Sequence, residues 1–545
     1  MARAARQQAP GLKQKLVPAP MGGLNAVSSL AAMPENDAVL LENMVGGDMG
    51  LRSRLGYYEV GLGLLQGASV LTQDRIRSLV GFNAALPSAD SKLFAMNKYG
   101  IYEVAGGATV GLPKIAFPDI TGDAGVGTGT TVVTSAGHFL AYTDEKNGYY
   151  LYKSGTWYKV VLDPAAGTYK LIGFDPANAV FCTVWKHRIF LVEKNSANAW
   201  FLDLDAIAGT ATRLSFAGKF LRGGYLVGLW SWTFDGGAGP DDYLVALSSA
   251  GDVVIYQGTD PTIPGAFNLK GVYYIGQPPS GRKVATDTGG DLLLLGSNGA
   301  VPLSKLVLGS VQGDTASFPT HKITPLIARL ISNYGLYEGW ALKLHPVDNL
   351  LMISVPEDSS DPGTGQLALS IATKGWSTLS GLPICCMESY QGKLYFGTLD
   401  GRICANDGYV DGVTIAAPAV YQNIDFAGIT AFSKYGSLRQ KRVQFLRCNF
   451  TSDGTPPNYA AAARYRFDTS QPAGGVAVSR LAGALWDVAK WDVDVWPSTQ
   501  DFASEQRVVG STGIGPEVAI AFSGKAASRV VLIGFDVMYD EGGLL

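Results

Sequence analysis

The sequence predicts a mainly β protein with a β-propeller at its centre. A second β-rich platform domain is built from the two chain ends, and there is one short helical insertion. Three observations carry this. Strand–turn–strand units recur along the middle of the chain at blade-like spacing. Glycine is abundant, 68 of 545 residues, and falls singly between short apolar runs. Hydrophobic residues make up 47% and charged residues only 16%, which can bury a large core and argues against disorder.

The units share a plan but little identity. They begin with Lys92–Val104 and His138–Val160, and continue from Arg188, Asp242, Asp291, Asn349 and Gly392. In each, about five β-favouring residues end in a polar or glycine turn, and a second run follows with Tyr, Trp or Phe. Asn147-Gly148, Asn298-Gly299 and Asp400-Gly401 supply the positive φ that two-residue hairpin turns require. The alternation in Tyr150, Tyr152 and Trp157 is that of half-buried strands. Strand centres near Tyr102, Leu151, Phe201, Ile255, Leu294, Ile353 and Tyr395 are separated by 49, 50, 54, 39, 59 and 42 residues. A propeller blade of four short strands occupies roughly 40–50 residues. A pair of β-sandwiches is the competing architecture, because it too has short strands and frequent turns.

The longest step contains the helical segment Lys322–Gly335. Ile323, Leu326, Ile327, Leu330 and Ile331 recur at helical spacing, and Gly335 suits its end. The expected organisation is therefore residues 1–65 as an N-terminal arm and part of the platform, 66–425 as the propeller with its insertion at 322–335, and 426–545 as the C-terminal platform. The N-terminal segment is rich in Gly, Pro and Asn and reads as an extended, turn-filled arm rather than a core element. Its basic residues Arg3, Arg6, Lys13 and Lys15 are assigned to solvent.

Composition narrows the partners. Forty-three Lys and Arg against 46 Asp and Glu leave a formal charge of −3, so no global field draws the chain to nucleic acid or an anionic membrane. The N-terminus lacks the apolar stretch of a secretory signal, and no run of about 18 apolar residues is present to span a membrane. Synthesis in the cytoplasm is expected. Cys182, Cys385, Cys386, Cys404 and Cys448 lie in apolar strand-like segments without metal-site spacing, and are read as buried free thiols.

No catalytic constellation stands out. The P-loop, HExxH and GxSxG patterns are missing, and Gly61–Gly63 and Gly125–Gly129 open no βαβ unit. His138, His187, His321 and His345 are scattered. Asp358–Pro362 lacks a calcium-loop pattern. Asp203 with Asp205, and Asp492 with Asp494, place paired acids on strand faces, an arrangement glycosidases use at about 5–9 Å. Trp230 with Trp232, and Trp157 with Tyr158, are candidate sugar platforms, although hairpin packing is the commoner role. No cofactor, metal or catalytic residue is assigned, and the chain is read as a non-enzyme.

The ends carry a more specific pattern. Met21–Asn25, Leu30–Pro34, Asp37–Asn43 and Leu51–Tyr57 resemble the opening of a family of bacteriophage virion proteins, and Ile533–Gly543 resembles its close. The matching positions are Gly22, Gly23, Asn25, Met33, Pro34, Asp37, Asn43, Arg54 and Gly56, for which an assembly role is expected. These matches span about 70 residues, at both ends, and the family is the tail nozzle, or tail tubular protein B, of short-tailed phages. The resemblance implies a virion structural protein carrying a propeller, a homohexameric ring below the adaptor or head-to-tail connector, and a channel for genome ejection. It implies tail tip or needle and tail fibre proteins as further partners, with DNA passing through unbound. The ring should use the terminal domain, and its lumen should carry more Asp and Glu than Lys and Arg, so that the duplex slides. The alternatives are a host-receptor or glycan-binding tail propeller and a polysaccharide depolymerase.

Overall fold

The computed structural model describes residues 12–66, 70–71, 74–84, 90–104, 108–235, 240–263, 265–307, 318–356, 365–415, 420–472, 502–505 and 508–542. The chain forms two compact units. One comprises residues 59–364 and 383–406, the other residues 1–58, 365–382 and 407–545. The expected boundaries at 65 and 425 therefore move. The segment 365–382 and the residues from 407 onward fold with the chain ends, because their strands pair there.

The first unit is a β-propeller. Among the described residues its innermost strands are Ser78–Phe82, Gly127–Thr134, Ala179–Trp185, Leu226–Asp235, Ala285–Asp287, Ala341–His345 and Cys386–Tyr390, one for each of seven blades. Blades 1 to 4 each have four antiparallel strands in sequence order. Among the described residues blade 5 has three, ending at Gly299–Pro302. Blade 7 is completed by the strand Tyr57–Gln66, which lies beside Ile403–Asn406. The ring therefore closes by pairing an early segment of the chain with a late one. Glu59 reinforces this with an ion pair to Arg402 at 3.0 Å. Each strand centre read from the sequence falls in a different one of these blades.

The alternation in the hairpins has a different meaning from the half-buried strand that the pattern predicts. Tyr149, Tyr150, Leu151 and Tyr152 are all buried. Tyr150 and Tyr152 pack with Phe82, Phe94 and Met96 of blade 1, while Tyr149 and Leu151 pack with Ile189 and Leu191 of blade 3. Both faces of a blade are covered by neighbours, so a period of two divides the side chains between two interfaces. The blade 3–4 interface repeats the scheme with Phe181, Phe190, Leu229, Leu244 and Val254.

The turn glycines do adopt positive φ: Gly148 at 81°, Gly299 at 100° and Gly401 at 83°. The loops are not uniformly two residues long. Asp144 pairs directly with Gly148, and Gly397 with Ile403, so those turns are wider. The helix spans Thr324–Tyr334, three residues shorter than its pattern, because His321–Ile323 is a 3-10 turn and Gly335 caps the end. Ile327 and Leu330 are buried. Gly335 has φ −63°, so it continues the helical conformation instead of supplying a left-handed cap. A further short helix, Leu303–Val307, follows blade 5.

The second unit is a β-sandwich. One sheet centres on the long strands Lys441–Asp453 and Arg529–Glu541, to which Lys13–Pro18, Met44–Gly46 and Leu51–Ser53 add. The other includes Ala38–Glu42, Gln422–Thr430, Asn458–Tyr465 and Val518–Ala526, with Trp376–Leu379 alongside. Their inner faces share one core, in which Leu446, Phe450, Leu532 and Val537 meet Phe426, Tyr459, Ile520 and Phe522. The N-terminal segment is not merely an overlying arm. Val17, Ala38, Leu41, Met44 and Leu51 sit in that core, because each short strand extends an existing sheet and turns its apolar side inward. Arg3 and Arg6 lie outside the described residues. Lys13 and Lys15 are near Glu541 at 2.6 Å and Glu35 at 3.9 Å.

Candidate functional site

The nine motif positions gather in the sandwich unit, and most of them are buried. Arg54 has a side chain only 2% exposed and makes a two-pronged pair with Asp411, its terminal nitrogens donating at 2.7 and 2.6 Å. Its Nε donates to Asn43 Oδ1 at 2.8 Å, and a terminal nitrogen also donates to the Ser380 carbonyl at 2.7 Å. Asn43 completes the network: its Nδ2 donates to Ser380 Oγ and to the Asp425 carbonyl, and its Oδ1 accepts from the Ser380 amide. Asn43 holds φ at 57°, a region Asn tolerates better than most residues. Burial pushes the Asp411 carboxyl up, and the Arg54 guanidinium opposes this.

A second cluster lies earlier in the motif. Asn25 Nδ2 donates to Asp37 Oδ2 at 2.7 Å, while Asn25 Oδ1 accepts from the amides of Val27 and Ser28. Met33 is buried, and the exposed Pro34 offers its carbonyl to the Asp37 amide. The Gly22 amide donates to the Asn36 carbonyl. Gly23 has φ 74°, and a Cβ there would lie 2.3 Å from Trp376 N; one on Gly56 would lie 2.0 Å from the Val410 carbonyl. Only glycine fits either place. The motif therefore fastens the N-terminal segment to segments around 376–380 and 410–425 of the same unit. Sequence reasoning missed Asp411 and Ser380, because nothing local marks the distant partners of Arg54 and Asn43.

In the propeller, the innermost strands begin around one end of the axis, and a cavity of about 240 Å³ opens there. All seven blades contribute: Arg77 and Ser78, Gly127 with Glu145, Lys194 and Asn195, Tyr225, Ser280 to Lys283, Gly339 to Ala341, and Cys385 with Cys386. Arg282 ties blades together. It pairs with Glu145 and donates to the Val227 carbonyl at 2.6 Å. Lys194 donates to the Glu145 carbonyl at 2.6 Å. Burial lowers the Lys283 pKa, and it pushes the Cys386 thiol up to about 11. The Glu338 carboxyl is raised to about 7, first by burial and then by Asp123, with Arg75 opposing at 3.8 Å. Arg77, Tyr225, Lys283, Gly339 and Cys385 lie just before inner strands, whereas Glu145 and Lys194 directly follow the second strands of blades 2 and 3. Aligning the blades from the sequence would have been the one way to find them.

The other sequence candidates do not converge on a site. The strand before Asp203 ends at Phe201, so Asp203 and Asp205 lie in a turn and not on a strand face. Asp205 adopts φ 54° there, beside His187 at 3.6 Å, and Asp203 is 3.8 Å from Arg188. The chain reverses direction at this point, which removes the two-residue alternation. Asp492, Asp494 and Asp358–Pro362 lie outside the described residues. Trp157 packs edge-on against Phe94 and Tyr142, Trp230 against Phe181, and Trp232 is buried beside Tyr243. These rings are packing elements. Cys182, Cys386, Cys404 and Cys448 are free thiols and buried, and Cys385 is half-buried. Among the described residues no group of three or more His, Cys, Asp or Glu is placed to hold a metal. No helix among them is long and apolar enough to cross a membrane.

No protein-family model and no curated protein matches the chain. Solved structures similar to it include the WD40 β-propeller domain of Doa1, at 10% identity over 61% of this chain and 93% of that one, with a TM-score of 0.32. BamB from Moraxella catarrhalis is similar at 13% identity over 62% and 97%, with a TM-score of 0.27. The computationally designed Ika8 protein is similar at 9% over 68% and 96%, with a TM-score of 0.33. Such likenesses concern fold alone, and here the seven sheets themselves carry it.

Proposed function

We propose that this chain is a structural protein of a short-tailed phage particle, a tail nozzle whose copies form a ring that extends the DNA-ejection channel below the adaptor. One observation carries the reading most strongly. Two positions of the family resemblance, Asn43 and Arg54, meet the distant Asp411 in one end-built unit. A pattern that serves a buried lock is a constraint on architecture, which is what a resemblance between assembly proteins would preserve.

The mechanism is mechanical and electrostatic. Copies associate head to tail in a closed six-fold ring. Duplex DNA passes without adhering, because an acidic lumen neutralises no phosphates and releases no counterions. The partners are further copies of the chain, the adaptor, the tail tip or needle and the fibres, and the chain performs no catalysis of its own. Analytical ultracentrifugation tests this. The chain alone should sediment as a monomer and form a ring-sized species with purified adaptor; no complex, or a trimer without adaptor, contradicts the reading. The second reading, a receptor- or glycan-binding tail propeller, draws on the axial cavity and its charged lining. A depolymerase would hydrolyse host surface polysaccharide, and no turnover is expected.

A further inference from the structure

The axial cavity of the propeller has an imbalance between its cationic donors and their acceptors. Lys283 reaches from the lead-in of blade 5 to blade 1, where its Nζ donates to the Leu79 carbonyl at 3.4 Å. Among the described residues this is the one hydrogen bond of the Nζ, although an ammonium carries three donors. Glu388, the carboxylate that acts on Lys283, is already bonded to Lys343 at 2.7 Å. Arg77, two residues before Leu79, donates from a terminal nitrogen to the Gly122 carbonyl at 2.6 Å. Among the described residues its buried Nε has no hydrogen-bond partner; it forms a loose ion pair with Asp74 at 3.8 Å, longer than a hydrogen bond.

The cavity's acidic groups do not redress this. Glu145 is held by Arg282. Glu338 faces Asp123, and both carboxyls line the cavity. Buried charged donors without acceptors are unfavourable, and charge-assisted bonds to an anion would satisfy them. A volume of about 240 Å³ suits a fragment-sized ligand; sites for drug-sized molecules run to roughly 300–1,000 Å³.

We propose that the axial cavity binds a small oxyanion, a tetrahedral anion or a carboxylate, between the Lys283 ammonium and the Arg77 guanidinium. The inference rests on the propeller alone and stands whichever role the whole chain plays. Glu338 tunes it. The groups facing Glu338 are Asp123, Glu145 and Arg75, and its carboxyl titrates at about 7. Below that pH it is neutral and no longer repels the ligand, so affinity rises as pH falls from 8 to 6.

Isothermal titration calorimetry on the full chain tests this, with inorganic sulfate, glucuronate and glucose as probes. Saturable binding of sulfate or glucuronate is expected, tighter at pH 6 than at pH 8, with none for glucose. Sulfate alone points to a free inorganic anion, and glucuronate alone to an acidic sugar. Lys283→Met and Arg77→Gln should each weaken binding by about tenfold, the loss of one charge-assisted bond. Circular dichroism checks that they fold, and Lys283→Arg retains the charge and the binding if Lys283→Met does not fold. The proposal is overturned if neither anion binds, if glucose matches glucuronate, or if folded variants bind unchanged.

Discussion

The two units of this chain reach stability by different routes. The propeller repeats one solution: each blade places alternate residues into the interfaces on its two sides, as Tyr150 and Leu151 do. The sandwich instead gathers strands from the N-terminus, the middle and the C-terminus, and its segments are joined by a buried polar network around Arg54. Repetition spreads the consequences of damage over many similar contacts. A keystone concentrates them.

The largest expected effect is therefore at the keystone. Arg54→Met or Asp411→Leu alone should destabilise the sandwich by about 3–5 kcal/mol, because each leaves a buried charge without its partner. The double substitution should cost less than the sum of the two. Site-resolved hydrogen exchange separates the units and would show protection lost in the sandwich first. Equal losses in both units would break the comparison.

Ordinary packing should not distinguish them. Ile255→Val in blade 4 and Ile520→Val in the sandwich are both fully buried deletions, and each should cost about 0.5–1.5 kcal/mol. A marked difference, measured by the same exchange method, would mean that the cores themselves differ in quality.

A pH effect sharpens the contrast. The Glu338 carboxyl is raised from its ordinary 4.5 to about 7 in the folded propeller. The folded state then binds more protons than the unfolded state between these values, so the stability of the propeller declines as pH rises through that window. Glu338→Gln should flatten the decline in a series of thermal melts. A wild-type melt independent of pH between 4.5 and 7 would contradict it. The smallest expected effect is at the exposed pair Lys525–Asp425, where Lys525→Ala should change stability by less than about 1 kcal/mol in urea titrations.

Much of the fold was legible in the sequence because strand spacing and glycine turns are local signals. The helix from Thr324 was legible for the same reason, through Ile327 and Leu330. Distance limits the rest. Nothing near Arg54 names Asp411, and nothing near Glu59 reveals that its strand completes the last blade. The half-buried reading of Tyr150 and Tyr152 failed because alternation reports two faces without saying what covers them. The axial cavity was invisible for a related reason: Arg77, Lys283 and Glu338 belong to three blades and share no motif.

Electron cryomicroscopy of the assembled phage particle tests the central proposal most directly. The chain is expected on the tail axis in a six-fold ring below the adaptor, with an acidic lumen around the DNA path. Density for the chain at the tail periphery, in trimers, or around a strongly basic lumen would contradict it.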